Sequence, residues 1–243
     1  MKIQLHKAPF DQTLELLEIR SPVLQSRLHH IGLYENDNFI RLDEEISIHP
    51  VRVRGPKGEF ILGKGMCLKI VTHLDDGRKL PLAELKPGES GHIEGITGGT
   101  GLGNALKTLG LKNNDSITFI RQIPPMEYTA LVNSEKRVRL SEGIAAKIWG
   151  SIEQRDLQFC SAGKGKKFIV KQILGGDKAR KNVYVHGKIE PGVELILEGV
   201  KPVETLTMSG AKARVVIYTT DGLRLVLDKK NSAEIYVRVV PGV

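Results

Sequence analysis

The feature that most limits what this chain can fold into is an internal repeat. Slid against itself by 77 residues, "LPLAELKPGESGHIEGITGG" (80–99) meets "LQFCSAGKGKKFIVKQILGG" (157–176). Leu82 falls on Phe159, Gly88 on Gly165, Ile93 on Val170 and Ile96 on Ile173. At the same offset "IQLHKAPFDQTLELLEI" (3–19) falls on 80–96, matching Leu5 to Leu82, Leu16 to Ile93 and Ile19 to Ile96. A second block, "RLHHIGLYENDNFIRL" (27–42), aligns without a gap on "ALKTLGLKNNDSITFI" (105–120), and "VYVHGKIEPGVELIL" offers Gly187 as the third counterpart of Gly32 and Gly110. A distal block closes each copy: "GKGMCLKIV", "LSEGIAAKIWG" and "KKNSAEIYV". From Gly32 to Ile70 and from Gly110 to Ile148 the spacing is 38 residues, and from Gly187 to Ile235 it is 48. The third copy is therefore the longest. The division expected from this is 1–76, 77–153 and 154–243, with linkers near 75–79 and 152–165, where "HLDDGRK" and "SAGKGKK" are polar and glycine-containing.

Copy two shows the local pattern best. Pro87-Gly88 is a β-turn signal before a strand, and "GNALKTLGL" reads as a helix of about two turns, with Gly110 as the residue that ends it in a left-handed conformation. "DSITFIRQI" alternates as a half-buried strand does, "YTALVN" and "KRVRLS" read as a hairpin, and "EGIAAKIWG" as a helical turn running into a closing strand. The pattern predicts a mainly β protein, three tandem small barrels of about five short strands and two short helices each, closed to hide their edges.

The stretch "EGITGGTGLGNALKTLG" (94–110) carries six glycines and invites a phosphate-binding reading, which its spacing refuses. Asn104 and Leu106 stand where a dinucleotide fingerprint needs glycine, and Asn104-Ala105 stands where a mononucleotide loop needs Lys and Ser or Thr. Copy one makes the same connection with Ser21-Pro22 and no glycine, so the loop reads as a connector whose glycines are tolerated.

Composition excludes other classes. The two cysteines, Cys67 and Cys160, are isolated and build neither a disulfide framework nor a zinc site together. The N-terminal stretch lacks the pattern of a secretory signal, and no apolar run approaches a membrane span, so a cytoplasmic setting is expected. The net charge of +8 is uneven, with 16 Lys+Arg against 9 Asp+Glu in residues 154–243. "GKGKK" (163–167) and "KARKN" (178–182), which carry much of it, read as loops. A basic third copy makes nucleic-acid binding the rival functional reading, although aromatic stacking residues are sparse there and no recognition motif appears.

Leu82, Leu85, Pro87 and Gly88, then Leu106, Leu109, Gly110 and Leu111, then Ala145, Ala146 and Ile148 make up a pattern that resembles the ferrous iron transport protein A family, FeoA. Copy one matches it in "RLHHIGLYENDNFIRL" and "KGMCLKIV", and copy three only loosely. The resemblance implies three FeoA-like domains of the Src-homology-3-like barrel type, non-enzymatic, in a family associated with transition-metal binding. It also implies a role as adaptor or regulator in contact with a protein partner, either the membrane ferrous iron permease FeoB or a metal-dependent regulator. Asn114-Asp115 departs from the family's Pro-Gly turn.

No catalytic constellation recurs between copies: Ser141 and Cys160 have no His or carboxylate at a repeated offset. For metal, His29, His30, His49, Cys67 and His73 all lie in copy one. His29 and His30 are adjacent on a predicted helix, so their side chains diverge by roughly 100° and do not share an ion. Cys67 takes the place of Ala145 and reads as a small buried residue. The expectation is no catalytic, cofactor or metal residue, with iron entering through the family association alone.

Overall fold

Every copy of the repeat forms the same run of elements, and no copy keeps its strands together. The computed structural model describes residues 2–43, 49–124, 126–203, 214–219 and 221–240. Copy one contains β1 (Ile3–Gln4), β2 (Thr13–Ile19), α1 (Pro22–Ile31), β3 (Asn38–Leu42), β4 (Val51–Gly55), β5 (Gly58–Leu62), α2 (Lys64–Cys67) and β6 (Ile70–Leu74). Copy two contains β7 (Lys79–Pro81), β8 (Ser90–Ile96), α3 (Thr100–Leu109), β9 (Ser116–Gln122), β10 (Met126–Val132), β11 (Lys136–Ser141), α4 (Glu142–Ala145) and β12 (Ile148–Ile152). Copy three contains β13 (Arg155–Gln158), β14 (Lys167–Ile173), α5 (Asp177–Gly187), β15 (Glu194–Pro202), β16 (Arg214–Thr219), β17 (Arg224–Asp228), α6 (Lys229–Ala233) and β18 (Ile235–Val239). A short 3-10 turn follows the first strand of each copy, burying Leu5, Leu82 or Phe159.

The strands assemble into three six-stranded antiparallel sheets with one shared order. Lobe I runs β17-β16-β3-β2-β18-β1, lobe II β5-β4-β9-β8-β6-β7, and lobe III β11-β10-β15-β14-β12-β13. Each sheet joins the first three strands of one copy to the last three of the copy before it, and lobe I closes the cycle with copy three. The exchange has a simple basis. The copies carry equivalent strand edges, so an edge is satisfied as well by the next copy as by its own, as in domain swapping between identical chains. At the step from β9 to β10 the sequence is Ile123-Pro124-Pro125. Two consecutive prolines fix φ and remove two N–H donors, which opposes a tight hairpin back onto β9. Ile123 instead donates its N–H to the Pro50 carbonyl at 2.8 Å.

The fold expectation is thus met in its β character and corrected in its detail. Among the described residues the sheets are open-ended rather than closed barrels, and each copy has six strands. The expected linker near 75–79 is the hairpin turn between β6 and β7, and the one at 152–165 holds the β12–β13 turn, β13 itself and a 3-10 turn, Phe159–Ser161. The repeat at 1–76, 77–153 and 154–243 describes the sequence, while the sheets are cut about half a copy away.

Burial follows the repeat. Leu16, Ile93 and Val170 fill equivalent core positions, as do Leu33, Leu111 and Ile189. Gly32 and Gly110 both cap their helices with φ in the left-handed region (96° and 74°). In copy three the left-handed cap is Lys188, φ 54°, one residue beyond the Gly187 that the sequence alignment paired with them. "KARKN" lies inside α5, not in a loop. The glycine-rich connector has one real requirement. A Cβ on Gly101 would lie 2.5 Å from the Gly176 backbone nitrogen, so α3 approaches copy three there more closely than any side chain permits.

Candidate functional site

The sheet exchange places β6, from copy one, beside β8, from copy two. His73 and His92 are directly opposite on this antiparallel pair, and Glu94 follows His92 by two residues, which keeps it on the same face. The imidazole rings stand 4.9 Å apart between centroids. His73 Nδ1 is 3.3 Å and His92 Nε2 is 3.2 Å from the same carboxylate oxygen, Glu94 Oε2. The other oxygen, Oε1, accepts from the Lys79 ammonium at 2.8 Å. Lys79, on β7, also reaches the Ile31 carbonyl at the C-terminal end of α1 at 3.4 Å. That is a favourable place for a cation, because the last carbonyls of a helix carry its negative end. Burial alone would raise the Glu94 carboxyl. The Lys79 hydrogen bond and charge, with His92 and His73, outweigh it and hold the group below the usual carboxylate value.

Among the described residues this is the one group of three His, Cys, Asp or Glu whose ligand atoms converge, all within 4.8 Å of one another. It is half-buried rather than sealed, with the Glu94 side chain 18% exposed and His92 40%.

Beside it, α1 packs its last turn on β8, where Gly95 leaves room for Ile31 and His30. A cleft of about 470 Å³ opens there, lined by Arg27, His29, His30, Tyr34, Ile96 and Asn113. His29 bonds Glu35 at 2.7 Å and stacks on Tyr34, while His30 bonds the Asn113 amide at 2.9 Å. The two histidines thus take separate partners, as their helical phase requires. Burial opposes the charge on Glu35, but the Gln25 amide, its own backbone N–H and His29 keep its carboxyl below the usual value.

The other sequence candidates lie apart from this cluster. His49 precedes β4. Cys67 is fully buried in the lobe II core, and desolvation pushes its thiol up to about 12. Cys160 is also pushed up to about 12 by desolvation, with the Glu142 charge adding to it. Neither thiol is a thiolate near neutral pH, so neither is an activated nucleophile. Ser141 precedes α4 and makes no side-chain cap. His92 and Glu94 are not apparent as ligands within either copy alone, because they meet His73 only across the β6–β8 pair. The signal that finds them is the repeat register itself, once β6 is paired with β8.

One family model matches the chain. Residues 80–151 match the FeoA domain. The matched stretch begins in β7 and ends in β12, so it coincides with copy two, and one FeoA domain is found rather than three. Its strands are shared between lobes II and III. A FeoA domain is a small β fold, generally non-catalytic, and its presence points to a part in ferrous iron transport. His92 and Glu94 lie inside the FeoA match, whereas His73 and Lys79 lie just ahead of it. Neither a curated protein nor a solved structure matches the chain. No helix among the described residues is long and apolar enough to cross a membrane.

Proposed function

We propose that this chain is a non-catalytic accessory protein of ferrous iron transport, acting in the cytoplasm by contact with a protein partner such as the ferrous iron permease or a metal-dependent regulator. The observation that carries the reading is the FeoA match over 80–151. The common element order of the copies supports treating copies one and three as FeoA-like units as well. Strand exchange adds a physical consequence. The three units are tied by sheet hydrogen bonds instead of hanging on free linkers, so a partner meets several related surfaces at an effective concentration set by the fold.

The charge distribution speaks against a separate nucleic-acid module. Residues 154–202 hold 10 Lys+Arg against 5 Asp+Glu and belong to lobe III, while 203–243 hold 6 against 4 and send their strands to lobe I. The basic third copy is thereby divided between two sheets.

The test is capture by the full chain from native membranes and cytosol at several salt concentrations. Recovery of a ferrous iron permease or a metal-dependent regulator, weakly dependent on salt, is the expected result. Recovery of nucleic acid alone, with binding that falls steeply with log salt, would replace this reading.

A further inference from the structure

We propose that His73, His92 and Glu94 bind one divalent first-row transition-metal ion, with Lys79 as the internal cation that holds the carboxylate when the ion is absent. The site does not rest on the iron-transport reading, since its argument is local chemistry and geometry.

Two imidazoles and a carboxylate form a donor set suited to borderline divalent ions such as Fe²⁺, Co²⁺ and Zn²⁺, and poorly suited to Mg²⁺ or Ca²⁺, which prefer oxygen. Bonds of about 2.1 Å to such an ion set adjacent ligand atoms about 3.0–3.4 Å apart. The two nitrogen–oxygen separations, 3.3 and 3.2 Å, already have this length. Oε2 lies within 3.3 Å of one nitrogen of each imidazole, while Lys79 occupies Oε1, so the oxygen that an ion would use is the one Lys79 leaves open. The partial exposure of the group gives an ion and its remaining waters a way in.

A second observation is independent of these distances. The same sheet position exists in all three lobes. In lobe I it holds Arg238 opposite Glu15, a two-bond ion pair at 2.8 and 2.9 Å. In lobe III it holds Ser151 opposite Ile169. The Glu94–Lys79 pair has a counterpart of reversed polarity there, Lys171–Asp156 at 2.5 Å. The fold therefore has no need of two imidazoles at this position, since lobe I fills it with an ion pair and lobe III with Ser151 and Ile169. The imidazoles are particular to lobe II.

The experiment is anaerobic titration of the untagged, metal-stripped full chain with Co²⁺, read by its visible absorption and by calorimetry, then repeated with Fe²⁺ and with Mg²⁺. One equivalent of Co²⁺ and of Fe²⁺ should bind, with Mg²⁺ far weaker. His73→Ala and His92→Ala should each weaken Co²⁺ binding by about 100-fold or more, and Glu94→Gln by at least about tenfold. Lys79→Met removes the competing charge and should tighten binding about tenfold. His29→Ala, in the neighbouring cleft, should change nothing. Because His92 is the most exposed ligand, His92→Ala with an unchanged melting curve decides the matter if His73→Ala folds poorly. Affinity and stoichiometry unaffected by His92→Ala and Glu94→Gln, or no Co²⁺ binding up to millimolar concentration, would overturn the site.

Discussion

Lobe I and lobe II put different chemistry on the same pair of backbone positions. In lobe I, Arg238 and Glu15 face each other across β18 and β2 and form a two-bond ion pair. In lobe II, His73 and His92 face each other across β6 and β8 and share a single carboxylate oxygen, while the other oxygen goes to Lys79. A two-bond ion pair engages both oxygens of its carboxylate with one cation, whereas two imidazoles on one oxygen bring three ligand groups together. The difference teaches where this architecture is free to vary. Buried positions repeat from lobe to lobe because they hold the sheets together, and half-buried positions beside them carry whatever chemistry a given lobe has acquired.

The strongest way to break that comparison is to move the chemistry. Glu15→His, Leu17→Glu and Arg238→His together reproduce the lobe II donors at the matching lobe I positions. If backbone register is what assembles the site, the triple variant should bind two equivalents of Co²⁺ where the parent binds one. Calorimetric stoichiometry checks this, and a value that stays at one would mean that α1 and Lys79, not the strand pair, build the site.

A smaller effect tests the other half of the comparison, that buried positions are what the lobes share. Tyr184, like Leu28 and Leu106, stands four residues before its left-handed helix cap, but α5 is one residue longer than α1 and α3, and Val183 takes the buried place that Leu28 and Leu106 fill. Leu28 is fully buried and Leu106 is 4% exposed, yet Tyr184 is 46% exposed. Leu28→Ala should cost about 3 kcal/mol, as removal of a core leucine does. Tyr184→Ala should stay within about 0.5 kcal/mol. Denaturant unfolding of the two variants measures both, and equal costs would mean that α5 is as firmly packed as α1.

These residues also show how much was legible beforehand. The repeat, the turn signals at Pro87-Gly88 and the alternation of Ile117 and Phe119 are enough for most of the elements and the buried faces, because those depend on local periodicity, although one strand of each copy goes unseen. Gly110 disclosed its left-handed cap for the same reason. Partnering was not legible. Equivalent copies offer equivalent edges, so pairing within a copy and pairing between copies look the same in sequence, and short connectors such as Ile123-Pro124-Pro125 decide between them. The same ambiguity hid the site: His73 was weighed against His29, His30 and His49 of its own copy, while its neighbours His92 and Glu94 came from the next. "KARKN" reads as a loop from sequence because it is polar throughout, and among the residues of α5 only Val183 and Gly187 are buried, too few to mark a period.

The smallest effect sharpens the comparison in lobe III. At the first position of the short helix before the closing strand, copies one and three carry Lys64 and Lys229, but copy two carries Glu142. Glu142 is almost fully buried, and both its oxygens accept from the Tyr128 hydroxyl at 3.0 Å. Desolvation raises its carboxyl above the ordinary value of 4.5, against the pull of the Tyr128 hydrogen bond and the Arg52 charge. A raised carboxyl means that folding favours the protonated form. Stability is therefore lost as pH rises through the folded-state value, and recovered as pH falls toward 4.5, below which the group is protonated folded or unfolded. Glutamine keeps an acceptor for Tyr128 and carries no charge to desolvate. Glu142→Gln should stabilise the protein by about 1 kcal/mol at neutral pH, and the gain should vanish near pH 4. Urea midpoints of parent and variant at pH 7.5 and pH 4 decide it. A gain independent of pH would show that the buried charge is not its source, and a loss at pH 7.5 would show that the ionised carboxylate holds lobe III together.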